Sequence, residues 1–263
     1  MGYWLANFEC LTKNELIVGV KTILVSQPEP KSGKNPFSDL AGKYSVQVDY
    51  RSFIHVEGVD AQEFRKERIL LSDFTGVILT SRMAVDHYFR MAKEMRFTVP
   101  DDMKYFCISE AVAYYLQNYV VYRKRKIFFG KQTTADLGDV LKKHKKENFL
   151  VPCSDIQRKV IPEQLEKFGI AFKNATLYKT VCSDLSDLCA VKYDMLVFYS
   201  PSGIQSLIKN FPEFIQNGTK IAVFGPTTAK AVEEAGFRID VQAPSSNAPS
   251  MTMAIEQYLK GKK

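Results

Sequence analysis

Long hydrophobic runs are missing from this chain of 263 residues. No stretch reaches the roughly 18 apolar residues that a membrane-spanning helix needs. Met1–Val20 has neither the basic start nor the continuous apolar region of a signal peptide, so a cytoplasmic protein without a membrane partner is expected. Cysteine is sparse and unpaired. Cys10, Cys107, Cys153, Cys182 and Cys189 form neither an even set nor a CxxC pair, which argues against a disulfide framework or a zinc site. His55, His87 and His144 lack metal-ligand spacing and read as surface or half-buried side chains, so no metal is expected. There is no GxxxxGK[ST] and no GxGxxG, so mononucleotide and dinucleotide sites lack their glycines and no cofactor is expected. GxSxG, HExxH and a local Ser, His and Asp set are absent too, which leaves chemistry needing little covalent help, or binding alone.

What is present is a repeat. FTGVILTSRMAVDHYF from Phe74 is echoed by YDMLVFYSPSGIQSLI from Tyr193, and KYFCISEAVAYYLQ from Lys104 by KIAVFGPTTAKAVEE from Lys220. KIFFGKQTTADLGDVL from Lys126 pairs less closely with RIDVQAPSSNAPSMTMAIEQYL from Arg238. In each copy a short apolar run ends in a hydroxyl-bearing turn and an amphipathic stretch follows, the pattern of a buried parallel strand feeding a helix. These pairs lie roughly 110 to 120 residues apart, a domain-sized offset. A fourth pair is out of order. ILVSQPEPKSGKNPFSDL from Ile23 matches FLVPCSDIQRKVIPEQL from Phe149, so a unit that opens the chain corresponds to one late in the first copy.

The permutation predicts a topology. The chain starts one domain with strands near Ile23 and Val46 and leaves it. A second domain is completed in one pass by strands near Ile78, Phe106, Phe128, Leu150 and Ala175. The first is then finished with strands near Leu196, Val223 and Val241. The expected fold is α/β: two flavodoxin-like, doubly wound parallel-sheet domains joined by a two-stranded linker. The first domain is drawn at 18–49 and 181–263, the inserted domain at 54–174, and the linkers at 50–53 and 175–180.

Open parallel sheets bind ligands beyond the carboxyl ends of their strands. The turns expected there are rich in small and hydroxyl residues: Ser26, Thr80-Ser81-Arg82, Ser109, Gly130-Lys131-Gln132-Thr133, Ser154, Ser200-Pro201-Ser202-Gly203, Gly225-Pro226-Thr227-Thr228 and Ser245-Ser246. Helix starts present unpaired N–H groups and a positive dipole end, which attract carboxylate or phosphate. Ser and Thr are also ordinary helix caps. The near absence of acids, Glu110 excepted, nonetheless suits a ligand with several negative groups held in one cleft. Tyr178, on the second linker where it should cross the cleft floor, is the best candidate proton donor, although a linker tyrosine is also ordinary packing. The net charge of +7 gathers between Tyr122 and Lys146, a segment read mainly as a solvated face.

On these residues the chain resembles the uroporphyrinogen-III synthase family, from about Thr22 to Leu259. The strongest parts are FYSPSGI at Phe198 and FGPTTAKAVEEAGF at Phe224 taken together, with ILVSQPEP, LTSRMAV at Leu79 and LYKT at Leu177 in support. The resemblance implies two flavodoxin-like domains, no cofactor, the substrate hydroxymethylbilane with its eight carboxylates, and the product uroporphyrinogen III with ring D inverted. It implies that Tyr178 assists departure of the ring A hydroxyl. It also implies that Ser200, Ser202, Gly203, Gly225, Thr227 and Thr228 in the first domain, and Thr80 and Ser81 in the second, contact substrate carboxylates. Ser109, Ser154 and Arg82 are added from the turns. Two departures stand out: Ser81-Arg82-Met83 replaces the usual Ser-Pro-Arg, and Cys107-Ile108-Ser109-Glu110-Ala111 lacks the usual glycine and gains an acid, weakening that rim.

Two other readings compete. One is a non-enzymatic anion- or tetrapyrrole-binding module; the other is nucleic-acid binding through Tyr122–Lys146. The second is disfavoured because Phe128 and Phe129 read as strand core instead of stacking platforms. A monomer with a small-molecule substrate and no nucleic-acid partner is the expectation.

Overall fold

A computed structural model of the chain describes residues 19–30, 35–131, 135–156, 160–188 and 192–261. The turn at Gln132 and Thr133, Cys10, Cys189 and the segment before Gly19 lie outside them. The chain forms two compact units. One holds the described residues up to His55 and from Cys182 onward, and the other holds Val56–Val181.

The first unit opens with β1 (Thr22–Val25), α1 (Pro36–Tyr44) and β2 (Gln47–Tyr50). The second contains β3 (Ile54–Gly58), which begins at the boundary, then α2 (Ala61–Lys66), β4 (Gly76–Leu79), α3 (Arg82–Glu94), β5 (Lys104–Cys107) and α4 (Glu110–Leu116). It continues with β6 (Ile127–Phe129), α5 (Gly138–Lys143), β7 (Phe149–Ser154), α6 (Val160–Lys167) and β8 (Phe172–Cys182). The first unit is completed by β9 (Met195–Phe198), α7 (Pro201–Asn210), β10 (Lys220–Phe224), α8 (Pro226–Glu234), β11 (Val241–Ala243) and α9 (Met251–Leu259).

The strand orders explain the permuted repeat. The first sheet runs β11-β10-β9-β1-β2, and the second β3-β8-β7-β4-β5-β6. Matching β7, β8, β4, β5 and β6 to β1, β2, β9, β10 and β11 superposes the two orders, which is the correspondence in the four sequence pairs. Numbered within its own unit, the first sheet reads 2-1-3-4-5, the flavodoxin-like order. The pairings along both sheets, from β11 to β2 and from β8 to β6, are parallel.

Parallel strands covered on both faces read as unbroken apolar runs, and VILF-type runs of this kind populate both cores. Alternation along each strand assigns residues to opposite faces. Ile23, Val25, Met195 and Val197 enter one core and Leu24, Leu196 and Phe198 the other. Val77, Leu79, Tyr105 and Cys107 face one side of the second sheet, and Ile78 and Phe106 face the other. Each such fully buried aliphatic or phenyl side chain contributes about 1.5–3 kcal/mol. Helix α3 shows the complementary period: Ala84, Val85, Tyr88, Met91 and Ala92 are buried at spacings of one, three and four, a single apolar stripe.

Two expectations need correction, while the segment 175–180, read as part of a two-stranded linker, lies within the 11-residue strand β8. Its neighbour β3 makes the second sheet six-stranded. The Val59 N–H donates to Leu177 O (3.0 Å) and the Ser183 N–H to Phe53 O (2.9 Å), so the two crossing segments run antiparallel. Lastly, Phe128 packs against Phe106 and His144 as expected, but Phe129 is 42% exposed on the edge strand β6.

A carboxylate ties α1 to α9. Glu256 accepts from Lys43 Nζ (2.6 Å), Tyr44 Oη (3.1 Å) and Lys260 Nζ (2.8 Å), and these bonds, that of Lys260 foremost, hold its pKa down at about 2. Because the folded value lies below the ordinary 4.5, the stabilisation is complete above that value and fades as pH falls toward about 2. With a side chain 28% exposed, the network is worth at most about 1 kcal/mol. Thermal melts of Glu256→Gln against the parent protein should differ by a constant amount from about pH 7 to 5 and converge below that. A difference that widens in acid would contradict this assignment.

Candidate active site

Main-chain donors and hydroxyls gather at the carboxyl ends of the strands in each unit, but most of them are already engaged. Ser81, Ser109 and Ser200 are the caps of α3, α4 and α7. Their Oγ atoms accept from the N–H groups of Ala84 (3.1 Å), Val112 (3.4 Å) and Gly203 (3.3 Å). The ordinary capping role uses one acceptor site on each Oγ and leaves its O–H as a donor. Gly203 is buried with its N–H taken, and a Cβ there would meet Phe198 Cδ1 at 3.2 Å, so its smallness lets α7 pack on β9. Ser154 Oγ donates to Ile156 O at 3.1 Å. Thr80 and Ser202 are half-buried at the ends of β4 and the start of α7.

The turn after β10 differs. Gly225 caps α8 at φ 86° and ψ 154°, with no side chain to answer the first helical N–H groups. Pro226 has none to offer, which leaves those of Thr227 and Thr228 as anion donors at the positive helix end. Thr228 as a whole is 1% exposed and sits in the interior, whereas Thr227 is exposed. In the second unit the equivalent position is Ser109, which caps its own seven-residue helix. The serine there answers a first-turn N–H that the glycine turn leaves open. Arg82, displaced by one position, is exposed at the start of α3 with its guanidinium 5.4 Å from the Tyr115 ring centroid. The Tyr115 hydroxyl donates in turn to Asp86.

Tyr178 is positioned by an irregularity in β8. Cys153 aligns with Thr176 but Ser154 with Tyr178, so Leu177 is an extra residue, a bulge. Bulges re-aim side chains. Leu177 is buried in the core beneath α3, and Tyr178 packs against that same core instead of pointing to the opposite face. Its hydroxyl is hydrogen-bonded to Ser81 and its ring stacks on His87, with centroids 4.9 Å apart and planes at 22°. Burial pushes the phenol above its usual value, the Ser81 bond opposing. The group is a neutral hydrogen-bond donor throughout the physiological range.

Several residues escaped the sequence reading. His87 is one. In the first unit Tyr50, Tyr199 and Phe224 stand at the ends of β2, β9 and β10, half-buried, with Tyr199 and Phe224 centroids 5.8 Å apart. Burial raises the Tyr199 phenol to about 12. Aromatic residues at or just past the last strand position were a legible signal, overlooked beside the hydroxyls that follow them. Burial also pushes the thiols of Cys107 and Cys153 up, to about 12 and about 11, so neither is a ready thiolate nucleophile. A cavity of about 820 Å³ in the first unit, lined by Tyr193, Phe211, Phe214 and Gln216 among others, shares no residue with the donor-bearing turns. Among the described residues no group of three or more His, Cys, Asp and Glu could hold a metal ion, and no helix is long and apolar enough to cross a membrane.

Two doubly wound units with matching strand orders define the chain as a duplicated α/β protein. The family model described as "Uroporphyrinogen-III synthase HemD" matches residues 35–253, and the chain belongs to that family. It is 26% identical over 261 residues to the uroporphyrinogen-III synthase of Chlorobaculum parvum, spanning 92% of this chain and all of that one. Over 143 residues it is 27% identical to the Saccharomyces cerevisiae enzyme of the same name, spanning 48% of this chain and 51% of the other. The crystal structure of uroporphyrinogen-III synthetase from Helicobacter pylori shares the fold, with a TM-score of 0.54 at 19% identity over 91% of this chain and 99% of that one.

Proposed function

We propose that the protein is a cyclising lyase that converts hydroxymethylbilane into uroporphyrinogen III. The observation that carries this reading is the family match through both units, residues 35–253. In the reaction the ring A hydroxyl departs as water, leaving an electron-poor azafulvene. Ring D attacks through its substituted carbon, and the spiro intermediate rearranges before the macrocycle closes. The bilane closes uninverted without help, so the protein's task is to hold one bent conformation and favour the more hindered attack.

The residues divide the work by what they have to give. The N–H groups of Thr227 and Thr228, freed by Gly225, hold a carboxylate, with Ser202 in the first turn of α7 as a further donor. Thr80 and Arg82 serve carboxylates on the second unit. Ser154 and Gly203 act by shaping their turns, since the Ser154 O–H and the Gly203 N–H are engaged locally, while Ser81, Ser109 and Ser200 cap their helices as acceptors and keep an O–H to donate to a carboxylate. Tyr178 donates a hydrogen bond to the departing hydroxyl. Its raised pKa suits orientation and polarisation more than outright proton loss. Tyr199 and Phe224 offer apolar faces to pyrrole rings. The protein acts as a cytoplasmic monomer on a small molecule. No nucleic-acid partner is assigned.

Supplied with freshly made hydroxymethylbilane, the purified protein is expected to shift the product from isomer I to isomer III. Chromatography of the oxidised isomers measures it, and an unchanged ratio would reject the reading.

A further inference from the structure

We propose that His87 is a positioning residue for Tyr178, held by Arg90 as the neutral tautomer with its proton on Nε2 so that its ring fixes the plane of the phenol. The proposal rests on the function assigned to Tyr178 above, but its structural half can be measured without turnover.

The guanidinium of Arg90 has its orientation set from three sides. Nη1 donates to Glu94 Oε1 (2.5 Å), and Nη2 to the carbonyls of Val59 (2.8 Å) and Leu177 (2.9 Å), the second being the bulged residue before Tyr178. With those bonds made, Nε–H points at His87 Nδ1, 3.1 Å away. A guanidinium does not deprotonate in proteins, so Nδ1 must be the acceptor and Nε2 must carry the hydrogen. The imidazole is thereby turned to lie along the Tyr178 ring. One arginine therefore grips the backbone at the bulge and, through His87, the side chain that follows it.

Protonation of His87 would set Nδ1–H against Arg90 Nε–H and break the link. The groups facing the imidazole are Asp86, Arg90 and Glu94 on α3 and Tyr178 on β8; Val59, beyond β3, contributes only a carbonyl. Burial, then Arg90, disfavours the charged ring, with Asp86 and Glu94 opposing. The clamp therefore persists at neutral pH and loosens only in acid.

Gly58 provides a lever that touches neither ring. A Cβ there would lie 2.7 Å from Arg90 Cζ and 2.8 Å from Nε and Nη2, so Gly58→Ala must displace the guanidinium. In ¹⁵N-histidine NMR spectra of the full chain, with the His87 signals assigned by their loss in His87→Gln, Nδ1 should be unprotonated and Nε2 protonated at pH about 7, titrating below the ordinary value of about 6.5. Gly58→Ala should move the midpoint upward. A proton on Nδ1, a midpoint at or above the ordinary value, or indifference to Gly58→Ala overturns the clamp.

In the isomer assay His87→Ala should lower kcat about three- to tenfold with KM nearly unchanged, and His87→Phe, which keeps a ring, should lose less. In a Tyr178→Phe background the same His87→Ala change should cost less than about twofold, because the group it positions has gone. Equal losses in both backgrounds would make His87 a merely structural residue and overturn the proposal. Should no variant and not even the parent shift the isomer ratio, the assigned function fails while the NMR result still decides the clamp.

Discussion

Tyr178→Phe is expected to lower turnover by about 10- to 100-fold while changing bilane affinity by less than about threefold, the loss that follows when a single oriented donor to a leaving group is deleted. The phenyl ring keeps the stack on His87 and the packing against Leu177's core, so the fold should not register the change. What vanishes is one hydroxyl and the bond to Ser81. Because burial raises the phenol above its usual value, the donor stays protonated well past neutrality. The alkaline limb of the parent's rate profile should therefore show no Tyr178-dependent fall below pH about 10. Single-turnover rates and equilibrium binding of the bilane, measured in parallel, separate the two effects. A Tyr178→Phe protein of parental rate would remove this residue from the chemistry.

The fold was legible because its physics is local and repeated. Buried parallel strands announce themselves as apolar runs such as GVIL and MLVF, buried at every position. The displaced match between Ile23 and Phe149 could be reconciled only by a chain that leaves one sheet and returns. β3 was not legible. IHVEG is half-buried at its first residue and exposed thereafter, and it is a strand only because β8 lies alongside. β8 was expected near Ala175, but ATLYKT carried no sign of the bulge that turns Tyr178 toward α3.

Within the site, the sequence could name hydroxyls but not say whom they serve. Ser81, Ser109 and Ser200 read alike as helix caps and as ligand-binding serines, and the cap bonds they accept leave each O–H to a further partner. Thr228 occupies a promising place in GPTTA yet points inward. His87, in contrast, read as an ordinary histidine because nothing in one strand's sequence reveals which helix residue will lie across it. Arg90 stands in the same helix and meets a carbonyl 87 positions along the chain. Contacts of that separation are tertiary facts, and the chemistry depends on them.

Substitution at Gly225 should give the other large effect, and the kind of residue introduced decides its form. At φ 86° and ψ 154° the backbone lies in a region reserved almost wholly for glycine. A Cβ would meet nothing within 4 Å, so the penalty is conformational and not steric contact with a neighbour. Gly225→Val is expected to cost about 2–3 kcal/mol of stability, a β-branched residue being the least tolerant of positive φ. Gly218→Ala, with equally open space and ordinary φ, should be nearly neutral. Gly225→Ser is more telling. Ser109 at the equivalent turn of the second unit adopts φ −146° and ψ 161° and caps its own helix. A serine at 225 that relaxed the same way would recover stability through the cap, and in doing so would occupy the N–H groups assigned to a substrate carboxylate. Gly225→Ser should therefore melt closer to the parent than Gly225→Val and yet bind the bilane at least about tenfold more weakly, the value of one charge-assisted anion contact. Calorimetry and equilibrium binding on the three variants provide the comparison. If Gly225→Ser kept parental affinity, the Thr227 and Thr228 amides would have no part in holding the substrate, and the first unit's rim would have to work through Ser200, Ser202 and its aromatic faces.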